Sequence, residues 1–296
     1  MFGYLVGFVF ATAALGATAS EVVWPASLRQ NLDRVGQMQW RLRQASNSRC
    51  AKTVTDIGAG FDHRGAYASR HWQLLEETLG MAADPVLVGV APGSPASKAG
   101  LASGDTVVSI GSVLSAEISA TRREGESAAE VFDRWIEQSP AGKPLVIEVR
   151  RGTRTEKMTI LPLSQCAIKI VFKTDAKIDA YSDGRNVAVT TGLIEFSNND
   201  DELALAIAHE FGHAIARHSG KVGLTERRAR EDAADAIGIR LVACAGFDPQ
   251  KAMILYSRLA RRDILGFLRA PTHRKYSARI ELMSQALRAN DGCMIS

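Results

Sequence analysis

The sequence predicts an α+β protein in two parts, a β-rich module followed by a mainly helical one. Two observations carry that expectation. Between about residues 53 and 165, short β-branched runs (86–90, 106–110 and 145–150) alternate with Gly, Pro and Ser turns. From about 167 onward the pattern changes to amphipathic stretches rich in Ala, Leu and Ile. The 296 residues suffice for two cores. A content of 46% apolar and 23% charged residues is that of a globular chain, not a disordered or fibrous one. The formal net charge of +4 is scattered apart from the cluster Arg227 to Arg230, so nucleic acid is not an expected partner.

The first element, Phe2 to Ala19, carries no charged side chain and ends in the small-x-small run Ala17-Thr18-Ala19. It reads as a signal peptide over residues 1–19, which makes the chain periplasmic or otherwise exported. Left uncut, the same stretch is long enough to anchor the chain to a membrane, the one route to membrane association expected. Residues 20–52 form a helical lead-in, with Leu28, Leu32, Val35 and Met38 at helical spacing, that serves as packing surface or linker. Inside the β-rich part, Arg151-Gly152 joins two strand patterns as a hairpin.

Cys50, Cys166, Cys244 and Cys293 include no C-x-x-C, which argues against a cysteine metal site. An even count in an exported chain predicts disulfides. Cys50 and Cys166 fall just outside the two ends of the β-rich module, and the termini of a domain usually lie close together. The expected pairs are therefore Cys50 with Cys166 and Cys244 with Cys293.

The chemistry concentrates at His209-Glu210-Phe211-Gly212-His213, an H-E-x-x-H motif on a strongly helical stretch from Asp201 to His218, with Asn199, Asp200 and Asp201 as cap candidates. The i, i+4 spacing puts both imidazoles on one face, where they can share one zinc ion per chain. Glu210 can reach a metal-bound water as general base without itself ligating. A third ligand is expected from a second helix beginning at Glu231. Glu231 is the first choice, with His218, Glu226 and Asp232 weighed behind it. Asp235, one turn on, is placed to accept the free ring N–H of a ligand histidine.

Two resemblances sharpen this reading. The run Val86-Leu87-Val88-Gly89-Val90-Ala91-Pro92-Gly93-Ser94-Pro95-Ala96, then Lys98-Ala99-Gly100-Leu101 and Gly104-Asp105, resembles the PDZ domains of HtrA-type proteases. That likeness implies a PDZ-like domain over 53–165 that binds an extended chain or a C-terminus, with Gly58, Gly60 and Phe61 at the peptide-binding loop. From about Asp179 onward the chain resembles the gluzincin metallopeptidases of the HtpX, BepA and CaaX prenyl protease type. The matching residues are Asn186 to Ile194, Asp201 to Ala204, the H-E-x-x-H motif, Arg217-His218, Glu231 with Ala234-Asp235, Ala245 to Pro249, and Pro271 to His273 through Arg279-Ile280. Arg274 stands where that family has proline, and the stretch from His213 to Glu231 is short for it.

The second resemblance implies a zincin-type peptidase domain over 167–296 with His209, His213 and Glu231 on zinc and Glu210 as base. It makes His273 the oxyanion donor, with Arg279 and Tyr276 as alternatives, and lays the substrate along an edge strand at Asn186 to Thr191. The expected function is zinc-dependent endopeptidase of the cell envelope acting, through a zinc-bound water, on unfolded or misassembled proteins. The rival expectation is a PDZ adaptor or chaperone-like binding protein with a vestigial peptidase domain. A non-proteolytic zinc hydrolase is a third.

Overall fold

The computed structural model describes residues 24–218, 220–262 and 272–289. The signal-peptide stretch 1–19, Pro271 and Cys293 lie outside them. The chain is α+β. After helix α1 (Ala26–Ser46), strand β1 (Thr53–Asp56) leads into the β-rich part. There β2 (Gly60–Asp62), α2 (Trp72–Leu79), β3 (Val86–Val88), α3 (Pro95–Lys98), β4 (Thr106–Ile110), β5 (Val113–Leu114), α4 (Ser115–Ala120), α5 (Glu130–Glu137), β6 (Leu145–Arg151) and β7 (Arg154–Ile160) follow in turn. The sheet is antiparallel in the order β2-β3-β4-β6-β7, with β5 on β4, and its β6–β7 hairpin turns at Arg151 and Arg154. Ile57, Leu87, Val107, Ile118, Phe132 and Ile147 fill the core beneath it. Strand β8 (Leu163–Cys166) returns antiparallel to β1 with Thr53 opposite Cys166, so entry and exit form a two-stranded neck. Cys50 and Cys166 are disulfide-bonded there, as their flanking positions suggest. The pairing of Cys244 with Cys293 falls outside the described residues.

The second part is β9 (Lys169–Lys173), β10 (Ala180–Ser182), β11 (Asn186–Thr190), α6 (Thr191–Phe196), α7 (Asp200–Ile215), α8 (Leu224–Cys244), α9 (Pro249–Arg262) and α10 (Tyr276–Arg288). Helix α7 is central, burying Leu203, Leu205, Ile207 and Phe211 on several faces, as a helix apolar nearly all round must. A small sheet ordered β10-β11-β9 flanks it. This corrects the expectation that Asn186 to Thr191 is an edge strand: β11 is the middle strand, paired on both sides, and the free edge belongs to β10. The lead-in is not a linker. Val35, Met38, Leu42 and Ala45 of α1 are buried in the core of the second part. Its other side touches the β-rich part, where Asp33 Oδ1 accepts from Gly89 N at 2.6 Å. Among the described residues no helix is long and apolar enough to cross a membrane.

Candidate metal centre and substrate cleft

Helix α7 starts where Asn199 accepts a hydrogen bond from Glu202 N at 2.9 Å, with Asp200, Asp201 and Glu202 in the first turn against the positive end of the helix dipole. His209 and His213 then lie one turn apart, ring centres 4.8 Å from each other. Helix α8 begins at Leu224, a turn and a half before the start at Glu231 read from the sequence, so Glu231 and Asp235 sit on consecutive turns well inside it. Two glycines let α7 and α8 approach at backbone distance. A Cβ on Gly212 would stand 2.7 Å from Ala234 O, and one on Gly238 would stand 2.9 Å from His209 N. That contact carries Glu231 to the histidines.

His209 Nε2 and His213 Nε2 are 3.2 Å apart, and Glu231 Oε2 is 3.3 Å from each. Zinc sits about 2.0–2.1 Å from such ligands, and a tetrahedron of that radius has edges of roughly 3.3–3.4 Å. Three donors of the right kind thus stand at three corners of a zinc tetrahedron. His273 Nε2 is 2.8 Å from the same Glu231 oxygen, which is buried and has none of these rings aligned to hydrogen-bond it. Burial alone would raise the Glu231 carboxyl, but His209, His213 and His273 outweigh it and hold the group well below the usual carboxylate range. The donor set fits a dication.

Outside the donors, His209 Nδ1 lies 2.9 Å from Asp235 Oδ1. Asp235 in turn receives both arms of Arg279, Nε to Oδ2 at 2.7 Å and Nη2 to Oδ1 at 2.6 Å, with the Tyr256 hydroxyl at 3.3 Å. Asp235, Arg279 and Tyr256 are all buried. Burial works against ionised Asp235, yet Arg279 and His209 pull it down to about 2. Arg279 is therefore occupied in holding Asp235, which corrects its expected role as an alternative oxyanion donor. Tyr276 lines the neighbouring cavity, its ring 6.0 Å from that of Tyr256.

His213 Nδ1 faces His218 Nδ1 at 2.9 Å, so His218 orients a donor and is not the third ligand it was weighed as. Asp232 faces away from the donors and is gripped by Arg274 through two 2.7 Å bonds, which fasten the segment bearing His273 onto α8. Tyr256 and the Asp232–Arg274 pair went unread in the sequence, because their partners are distant in the chain and no local pattern marks them. His218, five residues beyond His213, carried a signal and was read as a ligand.

Two cavities of about 740 and 470 Å³ share His209, Glu210 and His273 in their walls. Ala180 lines the larger, and Tyr181, Ser182, Asp183 and Gly184 line the smaller, so β10 and the turn after it run along the cleft. Burial pushes the Glu210 carboxyl up from its ordinary value, against the opposing pull of His209 and His213.

The structure places the expected peptide-binding loop differently. Phe61 is buried in the core, 5.6 Å from Phe132 ring to ring. The Gly58 N–H is already given to Asp56 Oδ1 at 2.7 Å, so it is not available to a peptide carboxylate. Gly60 does lie on the sheet's edge strand β2, but the cavity between that edge and α5 is only about 130 Å³. It is closed by Val35, Gly36 and Gln39 of α1 and Lys169 and Ile170 of β9.

Residues 160–225 match the model of Peptidase family M48. The match takes in the small sheet and α7 with both histidines, and stops before Glu231. Over that stretch the peptidase resemblance read from the motifs is shown. The chain is similar to the mitochondrial metalloendopeptidase OMA1 of Arabidopsis thaliana, 31% identical over 143 residues covering 37% of this chain and 29% of the plant protein. It is similar also to the OMA1 of Saccharomyces cerevisiae, 26% identical over 148 residues covering 36% and 43%. A 77-residue stretch is 35% identical to the putative serine protease HhoB of Synechocystis, covering 26% of this chain and 16% of that protein. The chain spans less than half the length of each of these curated relatives.

Proposed function

We infer that the chain is a zinc-dependent endopeptidase of the cell envelope that hydrolyses peptide bonds in unfolded or misassembled proteins. The observation that carries this is the donor triangle of His209, His213 and Glu231, with Glu210 beside it in the wall of a cleft open on both sides. Zinc in that triangle supplies a Lewis acid for the scissile carbonyl and acidifies the attacking water.

The chain's own residues do the rest. Glu210, its carboxyl raised by burial, takes the proton from the attacking water and returns it to the leaving amine. Asp235, clamped by Arg279, accepts the Nδ1 hydrogen of His209 and so leaves Nε2 as the donor toward the metal. His273 stands in both cavity walls, where its imidazole can hydrogen-bond the oxygen on which charge develops. The free edge of β10 offers backbone groups to an extended substrate.

The PDZ-like part acts as a reader of extended chains or C-termini, and α1 and β9 must yield for a peptide to lie along β2. That closed edge weakens the adaptor reading, which needs the same groove open. Zinc content and casein cleavage in the wild type and in Glu210→Gln test the proposal. Zinc should be retained in both, and cleavage should fall by several orders of magnitude in the variant. Full activity in Glu210→Gln would sink it.

A further inference from the structure

Past the turn that follows β10 lies another concavity, of about 610 Å³. Its floor is apolar, built from Ala51, Ala167, Ile168, Ala214 and Ile215, and Lys52, Arg185 and Arg217 also line it. Among the described residues none of these three cations has a carboxylate in ion-pair contact. The nearest in sequence, Asp183, spends its oxygens on Arg185 N, Asn186 N and Asn186 Nδ2 at 2.7–3.0 Å.

Arg217 adds a separate observation. It follows the end of α7 at φ 52°, and among the described residues it is the one non-glycine with positive φ. Glycine is the ordinary occupant of that position after a helix, so the arginine is held against its backbone preference while its side chain lines the concavity.

This space adjoins the metal cleft. Gly184 lines both, and the last turn of α7 turns His213 toward the donors and Ala214 and Ile215 toward the concavity. We propose that the concavity is a continuation of the substrate cleft that takes an apolar side chain together with a neighbouring acidic side chain of the substrate. The apolar floor covers the first, and Arg185 and Arg217, with Lys52 beside them, pair with the second. The ligand's being a peptide rests on the endopeptidase reading.

The test uses full-length, zinc-loaded Glu210→Gln protein and two labelled, C-terminally amidated peptides that differ only in Leu-Glu against Leu-Gln, with binding read by fluorescence anisotropy. The Glu peptide should bind about tenfold more tightly, as expected for a charge-assisted pair, and the preference should shrink with salt. Adding Arg185→Ala and Arg217→Ala should reduce Glu-peptide binding to the level of its Gln twin, and Arg185→Lys with Arg217→Lys should restore part of it. Equal binding of the two peptides, or a preference that survives both alanines, overturns the proposal. So does binding of anionic phosphatidylglycerol vesicles that needs both arginines while the peptides show no preference. Casein cleavage by the wild type is read separately. Its absence alongside an intact Glu preference counts against the peptidase reading and leaves the acidic-segment site supported.

Discussion

His218 shows how much of the site depends on single contacts outside the donor set. It touches His213 at Nδ1, the nitrogen away from the donors, and so sets which way that ring presents Nε2. His218→Ala should weaken zinc binding by about 10–100-fold, the usual cost of losing an orienting partner, with the fold retained. His213→Ala removes a donor and should abolish stoichiometric zinc. Competition with a chelator, alongside circular dichroism, distinguishes the two outcomes. Away from the site, Glu126 is bonded by Arg134 Nε at 2.7 Å and Nη2 at 3.1 Å, and that guanidinium pulls its carboxyl down from 4.5 to about 2. A carboxyl lowered in the folded state stabilises fully above its unfolded value and loses that contribution as pH falls toward its folded one. Between about pH 4.5 and 2 the wild type should therefore lose stability more steeply than Glu126→Gln, which urea midpoints across that range will show.

At the scale of elements, the pairing of α7 with α8 makes the centre. One helix carries two donors and the other carries the third together with the carboxylate behind His209, and neither binds metal alone. Gly212 is the point of contact, since its missing side chain is what lets Ala234 O come so near. Gly212→Val should drive the helices apart, lower the unfolding midpoint as overpacking by about 1–3 kcal/mol does, and weaken zinc binding although every donor is intact. Unchanged zinc affinity in a folded Gly212→Val protein would show that α8 can shift without moving Glu231. Strand β10 is an element read wrongly from the motif alone. Its three residues are too short to announce themselves, while the apolar run Val187 to Val189 of β11 looked like an accessible strand and is in fact the covered centre of the sheet.

Across the whole molecule, α1 ties the two parts together. Arg43, buried, bonds Asp56 Oδ2 in β1 and the carbonyl of Ile168, both at 2.8 Å, and Gln39 Oε1 accepts from Ile170 N at 2.6 Å. The neck adds a covalent tie, the Cys50–Cys166 bridge closing a separation of 116 residues. Loop-closure entropy for a loop of that size, less any native strain, makes removal by Cys50→Ser with Cys166→Ser cost about 2–5 kcal/mol. Urea unfolding of the oxidised wild type and the double variant measures it. A difference within error would mean that α1 and the β1–β8 ribbon already hold the neck in the unbridged protein.

The sequence by itself determined whatever repeats at short range. The i, i+4 histidines, the glutamate between them, the cap at Asn199, the strand-and-turn alternation of 53–165 and the flanking positions of Cys50 and Cys166 are all legible because helical and strand periods and turn chemistry act over a few residues. Only the tertiary structure decided which strand has a free edge, that Phe61 is core and the β2 edge is covered, that Arg279 clamps Asp235, and that Arg274 fastens the His273 segment to Asp232. Each of these pairs groups far apart in the chain. Their energies come from burial and from charge contacts that exist only once the helices have packed, so no local pattern in the sequence encodes them.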